Sequence, residues 1–266
     1  MKPENPRTDL VFQLSSRITL LPIRHGSGDV AQEVREYLLK QQVDCVAVPL
    51  SPSVEETVEA AISELPQIQV ILIQEDGETT STYSYIPIDP CQPIIMGLRV
   101  AMSEQISRAY IDREVATYEP STYPTSDPYA LKSVSLGAYA TAMLPSIPTP
   151  TPGSQRWQRI AWMAFRLHEL ELYHESILCL CSLEDWPWIR TAYQHRSPYE
   201  APEKLIGRPE VFSVKKESLY FVLGELPFVT ERYEARRKEA KDDTHLSIDG
   251  IKELLLETRE HWLSTW

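Results

Sequence analysis

The chain has 266 residues, of which 42% are hydrophobic and 24% are charged, a composition typical of a globular protein with a substantial core. Its formal net charge of −12 at pH 7 repels phosphate backbones and anionic lipid, which argues against nucleic acid and membrane surfaces as partners. No apolar run approaches the roughly 18 residues of a membrane helix, and no apolar signal region follows the N-terminus. We therefore expect a cytoplasmic protein.

Short apolar runs alternate with amphipathic segments along much of the chain. An amphipathic helix is predicted from Val30 to about Gln42, and others follow the later apolar runs. The predicted strands cover residues 17–23, 44–50, 68–74, 108–112 and 176–181. Strands that are apolar on both faces and separated by helices are typical of a parallel sheet. The sequence therefore predicts an α/β fold, with one mostly parallel sheet that includes all five strands and carries helices on both faces.

Changes in composition suggest three regions. Residues 1–15 are interpreted as an N-terminal tail and residues 16–195 as the α/β domain. This domain contains a proline-rich insertion at 114–155 with one helix near 129–143. Residues 196–266 are interpreted as an α+β extension with a strand at 219–223 and helices near 227–241 and 247–262. The sequence ends on a predicted helix without a glycine cap, which leaves open that it is part of a longer protein.

The four cysteines form no C-x-x-C pair, and Cys45, Cys179 and Cys181 lie in apolar, strand-like runs. A free cysteine is among the residues most often buried in proteins. We expect buried, reduced thiols at these positions and at Cys91.

Polar residues follow several predicted strands, and ligands of open parallel sheets bind beyond the carboxyl ends of the strands. His25 follows the first strand, Asp112 ends the 108–112 strand and Glu184 follows the 176–181 strand. His25 is a candidate general base or metal ligand, with Asp112 and Glu184 as candidate catalytic partners. The alternatives are structural. His25 would then be satisfied by local hydrogen bonds, Asp112 would pair with an arginine, and Glu184 would complement a helix dipole.

Gly26, Ser27 and Gly28 lie between the first strand and the next helix, where unpaired amides are suited to hold an anion. They match neither a dinucleotide-binding fingerprint nor a P-loop, so no cofactor is predicted. The candidate supporting residues are Arg24, Asp29 and Arg113. The other histidines have no spacing typical of metal ligands, and His25 with at most two carboxylates falls short of a zinc site. We therefore predict no tightly bound transition metal.

Three segments resemble one protein superfamily in order and spacing, over roughly residues 17–193. They are residues 22–50, with a His-Gly signature after a strand; residues 85–112, ending in Ile-Asp; and residues 159–185. This superfamily joins TraB-like proteins, erythromycin esterases, Tiki-like proteases and ChaN-like haem-binding proteins. The chain is most similar to a TraB-like branch associated in bacteria with MoxR-type AAA+ ATPases and von Willebrand A-domain proteins. The resemblance implies an α/β fold and a protein partner of one of these two kinds.

The sequence departs from the superfamily at two motifs. Pro49-Leu50-Ser51 stands where the superfamily has a glutamate, and Glu184 stands where a late Gly-x-x-His motif has its histidine. Only His25 and Asp112 carry over by position. The resemblance therefore implies a degenerate, non-catalytic domain that acts as an adaptor in a multiprotein system. The alternative is a hydrolase in which His25 acts as general base on water, with Asp112 and Glu184 in support.

The substitution His25→Ala separates these two hypotheses. A structural histidine that ties the glycine turn to the sheet is expected to lose about 1 to 3 kcal/mol of stability on truncation. A histidine in an open site is expected to lose no more than about 0.5 kcal/mol. The adaptor hypothesis predicts the larger loss.

Overall fold

A computed structural model describes residues 11–75, 82–120, 130–131, 134–204, 207–238 and 246–265. The strands are β1 (Ile18–Ile23), β2 (Cys45–Val48), β3 (Gln69–Glu75), β4 (Thr82–Ile88), β5 (Ser107–Tyr110), β6 (Ile177–Ser182) and β7 (Glu210–Ser213). The helices are α1 (Gly28–Lys40), α2 (Glu55–Ser63), α3 (Pro93–Ser103), α4 (Leu136–Met143), α5 (Gln155–Leu170), α6 (Trp186–His195), α7 (Leu219–Val222), α8 (Pro227–Lys238) and α9 (Leu246–Thr265).

A four-stranded parallel sheet, in the order β1-β6-β2-β5, forms the centre of the fold. Its inner strands β6 and β2 are almost wholly buried, as expected for apolar strands covered on both faces. Helices α1 and α3 pack together, as do α5 and α6, and buried residues of these helices join the strands in one core. The predicted α/β fold with a parallel sheet and flanking helices is confirmed.

The prediction that the 68–74 strand belongs to the parallel sheet is wrong. This segment is β3, which pairs antiparallel with β4 and with β7 in a separate three-stranded sheet. Only residues 76–81 separate β3 from β4, a connection too short for a parallel crossover but suited to an antiparallel pair. The burial of β3 is also uneven, with Ile71 buried and Gln74 exposed, as in a sheet with one solvated face.

Two further elements differ from the sequence prediction. Residues 219–222 form the short helix α7 rather than a strand, and β7 lies earlier, at Glu210–Ser213. The helix in the proline-rich insertion begins at Leu136, after Ser135, whose side chain accepts a hydrogen bond from the Ala138 amide. Its predicted start, Tyr129, lies outside the described residues.

Residues after 196 contact the α/β core at several points. β7 pairs with β3, and Arg99 of α3 forms an ion pair with Glu234 of α8 at 2.7 Å. The amides of Gly224 and Cys91 both donate to the buried Asp89 carboxylate. Residues 221–225, called the strap below, are thereby held against the segment that leads into α3.

All four cysteines are free and buried, as predicted. Among the helices of the described residues, none has the length and apolar character needed to cross a bilayer.

Candidate functional site

A cavity of about 600 Å³ opens at the carboxyl edge of the parallel sheet. His25, Asp112 and Glu184, which were predicted from three separate strand ends, all line it. Parallel strands end at the same edge of a sheet, which explains why residues so distant in sequence meet here. The volume is within the range of small-molecule sites.

His25 lies two residues beyond the end of β1 and is exposed to the cavity. Its imidazole forms no hydrogen bond with any of the residues that the structure describes. The walls of the cavity reduce its hydration, and this desolvation lowers the pKa of His25 from its ordinary value of 6.5. The charge of Asp185 opposes this shift and that of Arg159 adds to it. The lowered pKa favours the neutral form of the imidazole at pH 7.

Asp112 is committed to an ion pair rather than to His25. Arg159 donates from Nε to both carboxylate oxygens, at 3.0 and 3.1 Å, and also from Nη2. The Arg113 amide donates to Oδ1 at 2.8 Å. Asp112 is 6% exposed, and this buried carboxylate is paired with an arginine, as the structural alternative predicts. Asp112 positions Arg159 in the cavity wall.

Asp185 stands at the N-terminus of α6, but its side chain does not cap the helix. Its carboxylate accepts hydrogen bonds from Ser182 Oγ at 2.8 Å and from Arg156 Nε at 2.7 Å. Arg156 also donates to the backbone carbonyl of Glu184 at 2.8 Å. The loop after β6 therefore presents a fixed carboxylate to the cavity at Asp185, beside Glu184.

The amides of the glycine turn are used within the protein. Gly26 N donates to Gln92 Oε1 at 2.9 Å, and Gly28 N donates to Glu225 Oε1 of the strap at 3.0 Å. Ser27 Oγ accepts from the Val30 amide as the N-cap of α1. Ser27 and Gly28 are buried and do not line the cavity. The geometry thus disfavours the predicted anion site, because a ligand would have to displace these internal acceptors.

Of the predicted supporting residues Arg24, Asp29 and Arg113, only Arg113 lines the cavity. Its guanidinium donates to the Ala201 carbonyl and to Glu203 Oε1, which ties the residue before the insertion to the C-terminal region. These hydrogen bonds of the Arg113 side chain do not involve His25.

Several residues of the cavity are not among those predicted from the sequence. Arg156 and Arg159 are three positions apart on α5, which places them on one face of the helix. That spacing was a usable signal. Phe221 to Gly224 of the strap and Gln92 also line the cavity. No sequence pattern links the strap to the His25 turn, because their meeting is a product of tertiary packing.

One wall of the cavity is apolar. It is formed by side chains of β4, of α3 and of the segment before α2, among them Ile86, Pro87, Ile94, Ile95 and Val54. A cavity with one apolar wall and convergent polar groups at the other is typical of a site for a small organic molecule.

No group of three or more histidine, cysteine or carboxylate side chains is placed to hold a metal ion within the part of the chain that the structure describes. Comparisons with protein-family models, with curated proteins and with solved structures find no match.

Proposed function

We propose that the protein is a hydrolase in which His25 acts as general base on water. The observation that carries this proposal is the position of the imidazole: it is exposed in a cavity and forms no hydrogen bond with any of the described residues. A structural histidine would form such a hydrogen bond. A catalytic base needs its ring nitrogen to be available to water.

The surrounding charges support this role. When His25 takes a proton from water it becomes an imidazolium, and the negative charge of Asp185 favours that form. Asp185 is itself held by Ser182 and Arg156, so its position does not depend on the substrate. In this proposal Asp185 takes the supporting role that the sequence assigned to Asp112, while Glu184 remains a candidate for contact with the substrate.

A panel of p-nitrophenyl esters, phosphates and glycosides tests the proposal. We expect turnover of at least one class by the purified protein and a loss of about 100-fold or more in kcat/KM for His25→Gln. His195→Gln is the matched control, because His195 is an exposed histidine whose ring bonds to the Thr191 carbonyl of its own helix. Equal rates for His25→Gln and the parent on every substrate would contradict the proposal.

The adaptor function remains a second candidate, and a different observation favours it. Helix α9 exposes large apolar side chains, among them Ile251, Leu255 and Trp262, the last two by 66% and 60%. Exposed apolar clusters of this kind are typical of protein interaction surfaces. Binding of a purified MoxR-type ATPase or von Willebrand A-domain protein, weakened by Leu255→Ser, would support this function. Kinship with the TraB-like branch stays a prediction.

A further inference from the structure

Gln92 joins the wall of the cavity to the turn that carries His25. It occupies the N-cap position of α3, yet its side chain makes no capping hydrogen bond. Instead Oε1 accepts a hydrogen bond from Gly26 N at 2.9 Å. Gln92 is 9% exposed and lines the cavity. Its amide is therefore anchored beside the residue that follows the proposed base.

Only the carbonyl oxygen of the Gln92 side chain forms a hydrogen bond with the described part of the protein. A backbone N–H can only donate, so the carbonyl oxygen of Gln92 must face Gly26, and the NH₂ group is fixed at the opposite end. Within the described ranges, Gln92 Nε2 forms no hydrogen bond with protein. Because Gln92 lines the cavity, we place this NH₂ group at the cavity wall. An ordered donor in a cavity wall is a group that a ligand can use.

We propose that Gln92 Nε2 is the donor that stabilises the oxyanion formed when water, activated by His25, attacks a carbonyl substrate. This inference rests on the proposed function. The water oxygen bonds to the carbonyl carbon, its proton passes to the imidazole, and the carbonyl electron pair moves to the oxygen that Gln92 contacts. The tetrahedral intermediate then collapses, the bond to the leaving group breaks, and the imidazolium returns the proton to that group.

The other donors near the base are less suited to this task. The amides of Gly26 and Gly28 are bonded to Gln92 and Glu225. Arg156 and Arg159 are each bonded to a carboxylate. The Gln92 NH₂ group is neutral, pre-oriented by Gly26 and unused, and a pre-oriented donor needs no reorganisation as charge develops.

Two substitutions separate the donor role from the structural role. Gln92→Glu keeps an acceptor for Gly26 N but replaces the NH₂ donor with a carboxylate oxygen. Gln92→Met removes both. We expect Gln92→Glu to remain folded and to lower kcat on p-nitrophenyl butyrate about 100- to 1,000-fold, with little change in KM. Gln92→Met is expected to lower both kcat and the melting temperature. Gln67→Glu, on an exposed glutamine outside the cavity, controls for the added charge.

Rates are compared on the plateau of each pH profile, because a carboxylate at position 92 raises the pKa of His25. A second readout is independent of turnover. A phenyl trifluoromethyl ketone, which binds as its oxyanionic hydrate, is titrated by ¹⁹F NMR, and we expect Gln92→Glu to weaken its binding at least 10-fold.

The outcomes distinguish the two proposals. Unchanged kcat and ketone affinity in Gln92→Glu would overturn the donor role while leaving the hydrolase proposal standing. Unchanged turnover in His25→Gln, with ketone affinity still lost in Gln92→Glu, would overturn the general base and keep the donor. Absence of both turnover and ketone binding in the parent would overturn both.

Discussion

At the scale of single residues, the structure changes the expectation for His25. One interpretation of the sequence is a histidine that ties the glycine turn to the sheet. The turn is tied, but by Gln92, Glu225 and Ser27. We therefore expect His25→Ala to change the free energy of unfolding by no more than about 0.5 kcal/mol, measured by urea denaturation. A loss of 1 kcal/mol or more, the earlier expectation, would restore the structural interpretation.

The depressed pKa of His25 also predicts a pH effect on stability. Between pH 6.5 and the lower pKa of the folded state, the unfolded chain binds more protons at this residue than the folded protein does. Stability contributed by the neutral imidazole is thus lost as the pH falls through this window. We expect His25→Gln to lose less stability than the parent over the same interval, measured by denaturant titration at each pH. Parallel losses would contradict the pKa assignment.

The ion pair between Asp112 and Arg159 predicts a large stability effect. The two side chains are 8% and 14% exposed, so Asp112→Asn leaves a guanidinium largely buried without its counter-charge. We expect a loss of about 3 to 5 kcal/mol in the free energy of unfolding. Lys40→Gln, which breaks the exposed pair with Glu36 on α1, is the control and is expected to cost at most about 0.5 kcal/mol. Equal losses in the free energy of unfolding for Asp112→Asn and Lys40→Gln would show that the buried pair does not stabilise the fold.

At the scale of elements, the apolar runs predicted the parallel sheet because their uninterrupted apolar character indicates burial on both faces. The same property led to the wrong prediction that β3 belongs to the parallel sheet. Its run of Val70 to Ile73 is as apolar as those of the parallel strands, and only the short connection to β4 shows that it belongs to an antiparallel pair. His25, Asp112 and Glu184 were predictable because strand ends share an edge. The strap, Gln92 and the arginine pairing of Asp112 depend on side-chain packing that no local pattern encodes.

The contact between the strap and the glycine turn predicts a difference between two glycines. Gly26 and Gly153 have φ of +72° and +80°, so alanine carries a similar backbone penalty at each. A Cβ at Gly26 would lie 2.9 Å from Gly224 Cα, whereas one at Gly153 meets nothing within 4 Å. We expect Gly26→Ala to cost about 1 to 3 kcal/mol more than Gly153→Ala in thermal unfolding. Equal costs would mean that the strap does not press on the turn.

At the scale of the whole molecule, the cavity is assembled from parts that are far apart in sequence. The parallel sheet supplies His25 and Asp185 at its carboxyl edge, β4 and α3 supply an apolar wall, and the strap closes one side. A small molecule in this cavity would contact an apolar surface and lie beside a general base that activates water.

The most direct measurement compares the acid limb of the kcat/KM profile with the pKa of His25 from NMR titration of its imidazole protons. We expect the two values to coincide and to lie below 6.5, because the neutral imidazole is the active form and desolvation lowers its pKa. We also expect Asp185→Asn to lower both values further, since that carboxylate raises the pKa of His25. A rate that does not follow the titration of His25, or a pKa above 6.5, would contradict the role of His25 as general base.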